Sequence, residues 1–127
     1  MLRPGQYFHY SGIVKSKDAV EALAALAQDS RLAVYRLLVK RGPKGYPAGE
    51  IAERLDIPAP TLSFHLKALA QAGLVNLRRE GRFVHYSANF VRMNALVAFL
   101  TENCCSLADA CEPACAPARS AAGGRQP

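Results

Sequence analysis

"EIAERLDIPAPTLSFHLKALAQAGLV", Glu50 to Val75, carries two helical periodicities separated by only a few residues. Ile51, Ala52 and Leu55 recur at the spacing of one helix face, and Pro58 ends that pattern. Pro60 suits the first turn of a new helix, where its missing N–H costs nothing. Leu62, Leu66 and Leu69 then line a buried face, and Gly73 falls where a left-handed residue closes a helix. Two helices joined by so brief a connection read as a helix-turn-helix.

The patterns on either side extend this unit. "DSRLAVYRLLVKRGPKG" predicts a helix opening on Asp29 or Ser30 as cap and stopping at Gly42-Pro43, with Lys40 and Arg41 in the last turn, where the helix dipole favours cations. Before it, Asp18 opens a helix of roughly ten residues whose apolar positions are Val20, Leu23, Ala24 and Ala27. After it, "LVNLRREGRFVHYSAN" predicts two short antiparallel strands around a turn at Glu80-Gly81. From Asn89 a last helix carries Phe90, Met93, Leu96, Val97 and Leu100 on one face. With little core left to cover, that face is expected to meet a second subunit. The expected architecture is mainly α with a small β-hairpin, a winged helix-turn-helix assembled as a homodimer. Residues 1–17 form an arm with no assigned structure, 18–103 the DNA-binding and dimerisation domain, 104–116 a cysteine-rich segment, and 117–127 a polar tail expected to be disordered.

Composition is compatible with this layout. A chain of 127 residues, half of them apolar and a fifth charged, supports one domain with a modest core. No apolar run approaches the roughly 20 residues of a membrane span, and the first residues contain no signal-peptide core, so a cytoplasmic location is expected. The net charge of +6 is unevenly placed. From Ile57 to Arg92 the bases Lys67, Arg78, Arg79, Arg82 and Arg92 face Glu80 alone, which suits a polyanion. From Asn103 to Cys115 there is no base, only Asp109 and Glu112. Catalysis is not expected: His9, His65 and His85 have no cysteine or carboxylate partner at a useful spacing, and no Gly-rich phosphate loop occurs.

With "DSRLAVYRLL", "EIAERLDI", "LSFHLKALAQAGLV" and "REGRFVHYS" in this order, the chain resembles the ArsR (ArsR/SmtB) family of metalloregulatory repressors from about Asp18 to Leu100. The resemblance implies a homodimer joined through its first and last helices, holding operator DNA when metal-free and releasing it on binding a metal or metalloid. It also implies that Thr61, Ser63 and His65 lie where the family's DNA contacts cluster, with Gln71 on the same helix. Phe64 stands where many members carry arginine. Arg78, Arg79 and Arg82 around the hairpin turn would reach phosphate or the minor groove, supplying affinity and salt dependence more than sequence choice. The alternative for each is a capping or solvated surface role.

The family's usual inducer sites are missing. "AGEIAERLDI", before the recognition helix, contains no cysteine, and "NFVRMNALVAFLTEN" offers no histidine. Every thiol lies in "TENCCSLADACEPAC" instead. Cysteines clustered in a reducing compartment point to metal or redox chemistry, and sulfur selects thiophilic ions. Cys104, Cys105 and Cys111 are the expected ligands, with Cys115 as a fourth. Three thiolates suit As(III) or Sb(III), and four suit Cd(II) or Zn(II). On an unbroken helix Cys105 and Cys111 would stand about 9 Å apart in rise, so shared ligation requires the chain to turn back after Cys105. Asp109 and Glu112 would discourage anionic oxyacids but not neutral arsenous acid. Two other readings remain: thiol oxidation, through a loop closed by Cys105 with Cys111 or Cys115, and a metal-buffering or metal-delivery protein that uses the helix-turn-helix only as scaffold.

Overall fold

The computed structural model describes residues 14–109. Five helices and a three-stranded sheet follow in the order α1 (Ser16–Leu26), α2 (Asp29–Arg41), β1 (Tyr46–Pro47), α3 (Ala48–Leu55), α4 (Ala59–Gln71), β2 (Val75–Glu80), β3 (Phe83–Ala88) and α5 (Phe90–Thr101). The expected fold class, helices with a small hairpin in a winged helix-turn-helix, is the one observed.

One apolar core holds these elements together. Val34 and Leu38 of α2, Ile51 of α3, Leu62, Leu66 and Leu69 of α4, and Leu74 at the entry to β2 are almost wholly shielded from solvent. Leu62, Leu66 and Leu69 follow the i, i+4, i+7 rhythm read from the sequence, so the opposite face of α4 is left to solvent. Val14 is also buried, which carries the packed unit a few residues before Asp18. Tyr35 lies in the same core, and burial pushes its hydroxyl up to about 12.

The helix ends differ in detail from the expectations. Gln28, not Asp29 or Ser30, caps α2: its Oε1 accepts the Arg31 backbone N–H at 2.9 Å. Gly42 ends α2 at φ +89°, as its place in the sequence predicted. Asp56 closes α3 in the left-handed conformation, φ 54°, two residues before Pro58. Gly73 follows α4 at φ +80°, the conformation expected of it. Asn89 caps α5, accepting the Arg92 backbone N–H on its Oδ1 at 3.0 Å.

The sheet runs in the order β1-β3-β2, with β1 an addition to the expected hairpin. Tyr46 pairs with Tyr86 and Pro47 with His85. Two residues are too few to leave a periodicity in the sequence. Gly45 makes this pairing possible. Its φ is +72°, and a Cβ there would run into the Tyr86 carbonyl, so only glycine lets the chain approach β3 so closely. Between β2 and β3 the last pair is Glu80 with Phe83, which puts the turn at Gly81-Arg82, one residue later than Glu80-Gly81.

The faces of α1 and α5 are the main correction. The sequence put Val20, Leu23, Ala24 and Ala27 inside α1. The structure instead buries Ala19 and Ala22, with Val20 61 % exposed and Leu23 also outward. On α5, Leu96 and Ala95 are buried and Phe90 and Met93 partly so, while Val97 and Leu100 face solvent. The two helices are in contact, with Val20 and Leu23 of α1 and Val97 and Leu100 of α5 left outward.

Candidate nucleic-acid interface and thiol pair

With one face of α4 committed to the core, the outward stripe is set by geometry: Pro60, Phe64, Lys67 and Gln71 at i, i+4, i+7 and i+11, with Thr61 and Ser63 on its flanks. All six are exposed. Thr61, Ser63 and Gln71 are thus presented as expected, and Phe64 is 68 % exposed near the middle of the stripe. His65 is not. It is 7 % exposed, at the edge of the core face, and its buried Nδ1 has no hydrogen-bond partner among the described residues. His65 is therefore set apart from the exposed stripe that Thr61, Ser63 and Gln71 share. Its ring meets that of Phe64 edge-on, with centroids 6.2 Å apart, and so braces the neighbouring side chain. Lys67, which entered the expectations only as charge, shares the exposed stripe. Counting round the helix from Leu62, Leu66 and Leu69 would have found it.

The wing divides its arginines by role. Arg78 turns back onto the loop after α2, donating from Nη1 to the Pro43 carbonyl at 3.5 Å and from Nη2 to the Lys44 carbonyl at 3.2 Å. Its Nη2 also lies 3.5 Å from Glu80 Oε1. Arg78 therefore fastens the hairpin to the helical body, although the sequence alone assigned it to DNA. The side chains of Arg79 and Arg82 are exposed and make no hydrogen bond or ion pair among the described residues. These two are the arginines presented to an outside anion. Arg92, counted in the sequence among the bases of this region, is buried on α5 beneath Gly73 and adds nothing to the basic surface.

The loop under the wing is stiffened by a stacked cation pair. The guanidinium carbons of Arg41 and Arg54 lie 4.6 and 4.7 Å from the centre of the Tyr46 ring. Arg41 Nε also donates to the Gly45 carbonyl at 3.0 Å, and Arg54 pairs with Glu50 at 3.0 Å. Together with Arg78, these contacts hold α3, the wing and the end of α2 in one frame.

An exposed polar stripe on the second helix of a helix-turn-helix, flanked by a basic β-hairpin pinned to the same frame, defines a winged-helix DNA-binding module. Residues 26–78 match a family model described as a helix-turn-helix domain. The chain is 35 % identical to the uncharacterized HTH-type transcriptional regulator YceK of Bacillus subtilis over 64 % of this chain and 82 % of that one. It is 33 % identical to the transcriptional activator HlyU of Vibrio cholerae over 67 % of this chain and 76 % of that one. Among solved structures, an ArsR-like transcriptional regulator from Rhodococcus sp. RHA1 aligns with a TM-score of 0.60 at 27 % identity, covering 66 % of this chain and 76 % of that one. The homodimeric winged helix-turn-helix domain of Mb0332 from Mycobacterium bovis, a possible ArsR-family regulator, aligns with a TM-score of 0.55 at 27 % identity over 76 % of this chain and 89 % of that one. The chain belongs to the helix-turn-helix transcriptional regulators, and the solved structures it aligns with include ArsR-like members.

The thiols occupy the far end of α5. The helix stops at Thr101, and Asn103 and Cys105 then adopt left-handed conformations with φ of 59° and 66°. Backbone bonds from Ser106 to Asn103 and from Ala108 to Cys105, both 3.0 Å, close successive tight turns. The chain therefore leaves the helix direction before Cys104, earlier than the turn expected after Cys105. Cys104 Sγ and Cys105 Sγ lie 3.5 Å apart. That is well beyond the disulfide length of about 2.05 Å. It is close to the ~3.8 Å that separates two sulfurs each about 2.3 Å from one tetrahedral ion. Cys111 and Cys115 lie outside the described residues. Among the described residues no group of three or more His, Cys, Asp or Glu side chains converges as a metal site, so the thiols described form a pair.

Proposed function

We propose that this regulator is a homodimeric repressor that leaves its operator when trivalent arsenic, or antimony, binds thiolates at the end of α5. The observation that carries the reading is the Cys104–Cys105 pair, with sulfurs 3.5 Å apart immediately beyond a helix whose Val97 and Leu100 are exposed. Exposed apolar side chains on α1 and α5 suit the face of a subunit partner, so an ion bound at the thiols would sit at the margin of that interface. Arsenous acid reacts with three thiols by exchanging three As–O bonds for As–S bonds and releasing three waters, with no change of oxidation state. Cys104 and Cys105 would supply two of these sulfurs and Cys111 the third. Drawing Cys111 onto the pair would rebuild the chain after Thr101 and bias the relative placement of the two subunits.

The test is fluorescence anisotropy of the reduced full-length protein on DNA from upstream of its own gene, titrated in parallel with arsenite, Cd(II), Zn(II) and peroxide. Release at about one arsenite per subunit is the expected result. Release by Cd(II) or Zn(II) without arsenite would assign a four-thiol site including Cys115, and release by peroxide alone would assign a thiol-oxidation switch. Tight ion binding without any DNA binding would leave a metal-buffering or delivery protein.

A further inference from the structure

Phe64 is 68 % exposed in the middle of the outward stripe of α4, where a side chain that only stabilised the fold would be buried. Its flanks are polar or cationic: Thr61 and Ser63 toward the start of the helix, Lys67 and Gln71 beyond. Among the described residues, the ring against it is that of His65, edge-on and anchored at the margin of the core. A phenyl group held at this place on a helix that enters the major groove has one apolar feature to meet among the base edges. That feature is the C5-methyl group of thymine, since the other distinguishing groups there are hydrogen-bond donors or acceptors.

We propose that Phe64 is a specificity-determining residue that reads a thymine methyl group in each half-site, with buried His65 as the positioning residue that fixes its ring. The inference rests on the DNA-binding reading of α4 and adds a base preference to it. Lys67 suits the adjacent phosphate, and its charge keeps the phenyl group at a surface that a polyanion, not an apolar protein, would cover.

The experiment begins with duplexes recovered from a random pool by the full-length protein. Each thymine of the preferred half-site is then replaced by deoxyuridine, which removes the methyl group and leaves every hydrogen-bonding group in place. At one position, deoxyuridine is expected to weaken binding about four- to fifteenfold, the range set by losing one buried methyl group in one or both half-sites. The Phe64→Ala variant, whose change lies on an exposed helix surface, is expected to bind thymine and deoxyuridine duplexes equally while keeping its helical circular dichroism. Replacing His65 by Gln is expected to reduce the thymine preference without touching phosphate-dependent affinity. Equal affinity of the unaltered protein for both duplexes would overturn the inference alone, as would a Phe64→Ala variant that keeps the full preference. A protein that recovers no duplex at all would overturn the DNA-binding reading together with it.

Discussion

Asn89 bridges the end of the recognition helix and the start of the last helix: its Nδ2 donates to the Gly73 carbonyl at 3.0 Å, while its Oδ1 accepts the Arg92 backbone N–H at 3.0 Å. The Asn89 backbone N–H adds a third tie, to the Leu74 carbonyl at 2.8 Å. One side chain thus closes α4 and opens α5, joining the helix proposed to meet DNA to the helix that ends at the thiols.

Replacing Asn89 by Ala should remove both side-chain bonds and lower stability by about 1–2 kcal/mol, the usual cost of losing a helix cap. Urea denaturation checks the magnitude. The variant should also need more ion to leave DNA than the unaltered protein, because the link between α5 and α4 is weakened. An unchanged release curve would place the coupling elsewhere.

Cys104→Ser, Cys105→Ser and Cys111→Ser should each leave DNA affinity intact and abolish release by arsenite. Cys115→Ser separates the candidate ions: full release by arsenite in that variant is the outcome expected of a three-thiol site, and it should coincide with weakened Cd(II) binding. Normal release in any of the first three variants would remove that residue from the site.

Arg82→Ala should flatten the dependence of DNA affinity on salt, by a change in log–log slope of about 0.9 for each phosphate that is no longer neutralised. Arg78→Ala should not, because its guanidinium is occupied by the Pro43 and Lys44 carbonyls. Its signature should be faster amide hydrogen exchange in the Gly42–Gly45 loop and at the base of the hairpin. Equal slope changes in the two variants would show that Arg78 is also recruited to DNA.

Leu100→Glu, at a side chain 56 % exposed in the single chain, should barely alter the stability of one subunit. Across a subunit interface the same carboxylate would be buried without a partner, which is costly. Sedimentation should therefore show a folded monomer with greatly weakened DNA binding. Val20→Glu on α1 should behave alike. A dimer that persists in both variants would move the interface off these helices.

The helices, their order and the hairpin were legible from local signals: the helical spacing of Leu62, Leu66 and Leu69, and β-branched and aromatic residues on both sides of Gly81. What was not legible shares one cause. A hydrophobic pattern records which side chains avoid water, not what covers them, so Val20 and Leu23 read as core although Ala19 and Ala22 occupy that place. His65, three residues after Leu62 and four before Leu69, and Arg92, four before Leu96, lie on buried helix faces, although their polarity argued for the surface. Arg78 has the same charge as Arg79 and Arg82, and its different role depends on carbonyls more than thirty residues away in the chain. The thiol cluster was evident as a concentration of sulfur, while the early departure from α5 required the left-handed residues Asn103 and Cys105 to be seen.

The close approach of Gly45 to Tyr86 has a consequence for how such a dimer can switch. With the α2–α3 loop seated against β3 and Arg78 bonded to the same loop, the parts of each subunit proposed to face DNA are tied into one stiff jaw. In the proposed dimer an inducer at the thiols would then act as a thumb acts on a pair of callipers, changing the gap between two unaltered jaws. Operator duplexes with one base pair added or removed between half-sites should therefore shift the amount of inducer needed for release, whereas changes within a half-site should alter affinity without shifting it.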